Sequence, residues 1–279
     1  MNLLKLVIAA LSVSLFFVLS TTPFVGCTKT ETEIIHDTTT VIQKDTVTVV
    51  DSIIDLNYGL IAYYNFNNGS LNDGSGYGNN ITFSNATPAS DRNGVANNAY
   101  SFNGTNSYMR VPNSPSLNPR NITIMAIFKP NGYYLGQCHG NQILGKGTPD
   151  GQVGEYGLRF CDFDNPLNCS TPADTNHETL SAYVTQAGGK ANAPLITTGQ
   201  WYRVIFTYDG IVANVYFDGQ LKQTWNAGPL SFSPNGGDLF IGRHEDGTDQ
   251  YPYWFNGVID EIRIYNRALP PQAIQELSQ

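Results

Sequence analysis

Two Asp-Gly dipeptides constrain this chain more than any other feature. Tyr208-Asp209-Gly210-Ile211 and Phe217-Asp218-Gly219-Gln220 each place Asp-Gly between β-branched and aromatic runs, and Asp-Gly accommodates the positive φ angles of a two-residue hairpin turn. Residues 201–224 are therefore expected to form a three-stranded meander. In its first strand Val204, Phe206 and Tyr208 alternate with Arg203, Ile205 and Thr207, a period of two that predicts one buried and one outward face. The buried face needs a second sheet, which predicts a sandwich. Short runs at 60–66, 99–102, 108–111, 122–128, 156–160, 180–184, 239–241 and 258–265 supply further strands, nearly all bounded by turn residues. The one helix the pattern predicts is terminal: Pro271 suits a first turn, and Ala273, Ile274 and Leu277 make an apolar stripe for a sheet edge.

Composition agrees with the β reading. The chain holds 27 Gly, 15 Pro, 16 Tyr and 14 Phe, with only 14% charged residues, rich in turn formers and poor in the Ala/Glu/Lys mixture of helical proteins. A net charge of −8 argues against nucleic acid, whose binding depends on Lys and Arg neutralising phosphates.

The N-terminus has a different character. Phe24-Val25-Gly26-Cys27 follows an uncharged apolar run at 6–20, with Lys5 ahead of it. This arrangement resembles a bacterial lipoprotein signal, with a positive start, an apolar stretch and a small residue at the cut. On that resemblance residues 1–26 are removed, Cys27 carries lipid, and the chain is held at a membrane of the bacterial cell envelope, expected to be the outer membrane. An uncleaved membrane helix is the alternative; either places the rest of the chain outside the cytoplasm. From Thr28 to Leu56 there is no Gly, Pro or aromatic residue, and Thr alternates with Val. Residues 27–57 are thus expected to be an extended stalk, with too little apolar surface to fold alone. Three further cysteines, Cys138, Cys161 and Cys169, fall within 130–198. In an oxidising compartment they predict one disulfide and one thiol. Cys138 to Cys169 is the expected pair, and Cys161 to Cys169 the alternative.

Four segments, 59–66 (GLIAYYNF), 71–78 (LNDGSGYG), 100–104 (YSFNG) and 255–269 (FNGVIDEIRIYNRAL), resemble the laminin-G-like jelly-roll domains of the concanavalin A-like lectin/glucanase superfamily, in that family's order. The resemblance implies an all-β, antiparallel two-sheet jelly-roll sandwich with a short C-terminal helix over residues 58–279. That scaffold carries lectins, carbohydrate-binding modules, adhesion domains and glycoside hydrolases, so it does not choose an activity. It also implies a structural calcium ion held by Asp73 and Asp260, with Asn67 adding an oxygen, since calcium selects hard oxygen ligands from loops. The alternative is that Asp73 organises an Asx-type turn and Asp260 bonds backbone amides.

The resemblance implies that retaining glucanases of the superfamily carry two glutamates and an aspartate on one strand, spaced Glu-x-Asp-x-x-Glu or nearly so, because nucleophile and acid flank the bond ~5 Å apart. No such run occurs here. Asp260 and Glu261 are adjacent, and neighbours on a strand point to opposite faces, which removes them as a pair. The histidines at 36, 139, 177 and 244 are too scattered for a metal cluster. A non-catalytic binding module is therefore expected, directed at glycan or serving adhesion, with a hydrolase or a protein-binding or structural envelope component as rivals. Sugars stack C–H faces on aromatics while amides and carboxylates bind their hydroxyls. The segment 244–254 reads HEDGTDQYPYW and places Asp246, Asp249 and Gln250 beside Tyr251 and Tyr253. Tyr133 and Tyr134 form a second candidate platform, and Trp254 is expected to cover the core.

Overall fold

The computed structural model describes residues 30–35, 38–43, 54–135, 140–147, 156–162, 178–184, 187–190, 195–229, 236–244 and 252–279. The chain divides into two compact units, 1–53 and 54–279. In the first, β1 (Thr30–Ile35) and β2 (Thr38–Gln43) pair antiparallel, Thr30 opposite Gln43 and Ile35 opposite Thr38. These are the described residues of the expected stalk within the first unit, and they are extended and paired with each other. The high β propensity of alternating Thr, Val and Ile finds a ladder partner within the same segment.

The second unit contains β3 (Leu60–Tyr64), β4 (Phe83–Ser84), β5 (Thr87–Ala89), β6 (Ala99–Asn103), β7 (Met109–Val111), β8 (Ile122–Pro130), β9 (Asn141–Lys146) and β10 (Tyr156–Asp162). It continues with β11 (Glu178–Val184), β12 (Ala187–Lys190), β13 (Tyr202–Tyr208), β14 (Val212–Phe217), β15 (Gln220–Asn226), β16 (Leu239–Ile241) and β17 (Asn256–Tyr265), and ends in helix α1 (Pro271–Glu276). Seven strands make one sheet in the order β12-β11-β10-β9-β16-β7-β4; eight make the other, β15-β14-β13-β8-β17-β6-β5, with β3 also paired to β17. This is the antiparallel two-sheet jelly-roll sandwich with its terminal helix.

Between the sheets lies one core. It takes alternate residues from each strand, such as Ile124, Ala126 and Phe128 from β8, Leu158 and Phe160 from β10, and Val204, Phe206 and Tyr208 from β13. β13 is buried on both faces, however, with Ile205 1% and Thr207 2% exposed. The reason is a second apolar cluster outside the eight-stranded sheet, where Ala273, Ile274 and Leu277 meet Leu60, Met125, Ile127, Ile205, Tyr216 and Tyr265. Helix α1 lies across the sheet's face, not at its edge. Gln275 Nε2 donates to the Gly219 carbonyl at 2.7 Å, and the Arg203 guanidinium donates to the Ser278 carbonyl. Among the described residues both clusters are built from 54–279, so this unit carries a core of its own.

The two Asp-Gly turns differ. Asp218 and Gly219 both have positive φ, 46° and 76°, directly between Phe217 and its partner Gln220, the expected two-residue turn. At the other hairpin the central residues are Gly210 and Ile211: the Asp209 amide donates to the Val212 carbonyl, while Asp209 Oδ1 accepts from the Ile211 and Val212 amides at 2.9 and 2.7 Å. The side chain of Asp209 serves as an acceptor in the turn, and its backbone stays in the ladder.

Candidate groove on the seven-stranded sheet

After β16, the described residues 242–244 and 252–255 lie together: His244 donates its amide to the Pro252 carbonyl at 2.8 Å and Phe255 to the Gly242 carbonyl at 3.0 Å. Phe255 enters the core. Tyr253 sits at φ 46°, a left-handed conformation uncommon for an aromatic residue, held by the Gln142 amide donating to its carbonyl at 2.9 Å. That kink keeps Tyr253 and Trp254, adjacent in sequence, both off the core that Phe255 fills.

Their surroundings differ sharply. Tyr253 is 9% exposed. Its ring lies 4.7 Å from that of His244, and the Arg159 guanidinium sits 5.4 Å from the Tyr183 ring centre and 5.8 Å from that of Tyr253. Gly140 makes room for it, since a β-carbon there would come 2.7 Å from the Tyr253 ring. Trp254 instead lines an open groove of 580 Å³ with Phe83, Tyr108, Arg243, Asn85, Thr105 and Asn106. The Arg243 guanidinium, 5% exposed as a residue, lies 4.8 Å from the Trp254 ring centre, 5.0 Å from Tyr108 and 5.5 Å from Phe240. Phe83 lies tilted against Tyr108, ring centres 4.7 Å apart, and is 40% exposed. A desolvated cation under several rings is worth roughly 2 kcal/mol, so the aromatic floor is set before any ligand arrives.

The groove's polar rim is equally fixed. Asn85 Oδ1 accepts from the Tyr108 amide at 2.7 Å, and its Nδ2 donates to the Asn106 carbonyl at 2.9 Å. Asn103 Oδ1 accepts from the amides of Thr105, Asn106 and Ser107 at 3.0 to 3.1 Å. Asn106 and Thr105 remain exposed above the rings.

The other sequence-derived sites fare differently. Asp246, Asp249, Gln250 and Tyr251 lie outside the described residues, as do Cys27, Cys138 and Cys169. Tyr133 is half-buried, packs edge-on to Phe160 at 6.3 Å and donates its hydroxyl to the Ile196 carbonyl, which makes it part of the sandwich end. Tyr134 is half-buried against Tyr253, 6.4 Å away. Sequence reasoning missed Arg243, Tyr108, Phe83 and the asparagine rim; the only local signal was Trp254, which was expected to serve the core.

Asp73 and Asp260 do not fit a shared calcium ion. Asp73 Oδ1 accepts from the amides of Tyr63 and Ser75 at 2.9 and 2.8 Å, and Oδ2 from Ser75 Oγ and the Asn79 amide at 2.7 and 3.0 Å. Asp260 Oδ2 is taken by the Arg92 amide and guanidinium, the latter at 2.7 Å, which puts a cation where a metal would sit. Asn67 opens a turn through its amide and Asn65 Oδ1. No metal-holding group of three or more His, Cys, Asp or Glu occurs among the described residues. Asp73 instead staples the 71–80 loop to β3, accepting from four donors. Asp73→Ala is expected to cost about 3 kcal/mol and to lower the melting temperature by ~8 °C, equally in calcium and in chelator. A calcium-dependent rise in the native protein that the variant loses would restore the metal.

Asp260 and Glu261 correct a second expectation. The ladder between β17 and β8 shifts register between Ile259 and Glu261, a bulge that re-aims side chains. Both carboxylates consequently reach Arg92 Nη1, at 2.7 and 3.6 Å, and Glu261 also holds Arg263 Nε at 2.6 Å. Burial pushes the Asp260 carboxyl up against the pull of Arg92. The two acids share Arg92, and Glu261 also holds Arg263, so they form an ion cluster on β17.

Comparison with known proteins agrees with this architecture. Domain 4 of the GH43 extracellular arabinanase of Geobacillus stearothermophilus, solved with arabinotriose, is 23% identical over 79% of this chain and 98% of its own, with a TM-score of 0.57. The sialidase of Trypanosoma rangeli with sialic acid is 16% identical over 79% of this chain and 32% of its own, TM-score 0.56. The binding domain of botulinum neurotoxin serotype G is 18% identical over 78% and 50%, TM-score 0.52. At these identities the likeness is one of fold. No curated protein matches the sequence. Residues 103–275 match the concanavalin A-like lectin/glucanases superfamily, and with the two-sheet sandwich described above the chain belongs to that superfamily.

Proposed function

We propose that the 54–279 unit is a non-catalytic glycan-binding module and that the groove floored by Trp254, Tyr108 and Phe83 is its site. The observation that carries this reading is the partly exposed aromatic floor, pinned by Arg243 and bordered by fixed asparagines. Sugar rings need an apolar surface beside amide donors and acceptors. A net charge of −8 disfavours approach of a polyanion, so the ligand is a neutral glycan. The arabinanase domain of like fold was solved with arabinotriose, a neutral oligosaccharide, which supports the class of ligand. A glycan array with the 54–279 unit tests it: saturable binding of one or more neutral oligosaccharides is expected. Release of reducing sugar from the same ligands would replace the binding module with a hydrolase, and an array without hits would remove the glycan.

The module's placement is a separate proposal, resting on Lys5, the apolar run 6–20 and the Gly26-Cys27 junction. Lipid on Cys27 would hold it at the bacterial envelope membrane, and the outer membrane is the proposed address. Cys27→Ser is expected to move the protein from the detergent phase to the aqueous phase in a detergent partition of whole cells. An unchanged partition would reject the anchor.

A further inference from the structure

A second cleft, of 350 Å³, opens at the β15 edge of the other sheet. Its apolar wall is rigid. Trp201 carries Lys129 Nζ 5.1 Å from its ring centre and packs on the helix cluster. Tyr202 stacks on Phe128 at 5.7 Å, and its hydroxyl accepts from the Thr197 amide at 2.8 Å. The opposite wall is polar and held out by the chain's own geometry. Asp218 projects from the hairpin turn at φ 46°, and Gln220 Oε1 accepts from Lys222 Nζ at 2.8 Å. Among the described residues the Asp218 carboxylate, the Gln200 amide and the Trp201 indole N–H make no hydrogen bond.

Four polar side chains, Gln200, Asp218, Gln220 and Lys222, which between them supply donors and acceptors, therefore face one small aromatic recess. Lys222 is held by Gln220 Oε1, so the exposed Asp218 carboxylate disfavours a phosphate or an acidic sugar by repulsion, and the polar rim gives a purely apolar ligand no partner. A neutral ring with hydroxyls on its edge and C–H groups on its face satisfies both walls. The volume lies at the small end of ligand sites, ~300–1,000 Å³, and suits one ring rather than a chain. We propose that this cleft is a second binding site, taking a single neutral sugar residue, independent of the groove and on the other sheet. The module then grips glycan at two places, and linked sites gain avidity without any new contact.

Side-chain amide and indole resonances of the 54–279 unit distinguish the sites, since Trp201, Gln200 and Gln220 report on the cleft and Trp254 on the groove. The probes are neutral methyl glycosides of common hexoses and pentoses at millimolar concentration. Saturable shifts of Trp201 and the two glutamine amides are expected. Asp218→Asn, which tolerates positive φ, should weaken them by about tenfold and leave Trp254 shifts unchanged. Shifts at Trp201 without any at Trp254 would support the cleft and sink the groove. Shifts confined to Trp254 would overturn the cleft alone, and silence at both would overturn both.

Discussion

Replacing Trp254 by alanine is expected to weaken glycan binding by about tenfold, or 1.4 kcal/mol, while the domain stays folded. Trp254 is half-buried and lines the groove, so its loss removes a stacking surface and frees one side of the Arg243 guanidinium, which Tyr108 and Phe240 still flank at 5.0 and 5.5 Å. Tyr253→Ala is the contrasting control. That ring is 9% exposed and packs on His244, Tyr134 and the Arg159 guanidinium, so its removal is expected to cost about 3 kcal/mol of stability with little direct effect on affinity. Isothermal titration with an array hit, read beside thermal melts, separates the two. If Tyr253→Ala lost affinity without losing stability while Trp254→Ala kept full affinity, the assignment of the open and covered faces would be reversed.

The reversal of Tyr253 and Trp254 shows where reading the sequence reaches its limit. A period of two fixes which residues of a regular strand share a face, and it located Val204, Phe206 and Tyr208 in the core correctly. It fails wherever the backbone leaves the strand. The positive φ of Tyr253 and the register shift at Asp260 each change the side from which a residue emerges, and neither carries a glycine or proline at the residue to announce it. Glu261 and Asp260 thus meet one arginine from positions that alternation would separate.

Arg243 illustrates a second limit. Its partners come from just before β7, from β16 and from just before β17, and the pairing of β7 with β16 brings Tyr108 beside Phe240 and Trp254. Nothing local marks an arginine that will lie under three rings. The strand pattern and terminal helix, by contrast, were legible because each depends on a short window of sequence. The helix was still misplaced, at an edge instead of a face, because its docking surface is assembled from five separate strands.

That docking surface gives the largest expected effect on stability. Ile274 is fully buried in the outer cluster, against apolar side chains with no cation among the described members. Ile274→Asp places a carboxylate there without a partner, which costs about 4 kcal/mol and should lower the melting temperature by ~10 °C. Gln272→Asp, on the exposed side of the same helix, should change it by less than about 2 °C. The freed face would expose Leu60, Met125, Ile127, Ile205 and Tyr216 together, and a patch of that kind drives association. Light scattering should therefore show the Ile274→Asp protein self-associating below its melting temperature. Glycan binding at the groove should survive, because the groove is built on the other sheet and shares no residue with the helix cluster. A monomeric Ile274→Asp protein with native stability would mean that α1 is an appendage and that the sandwich holds without its outer layer.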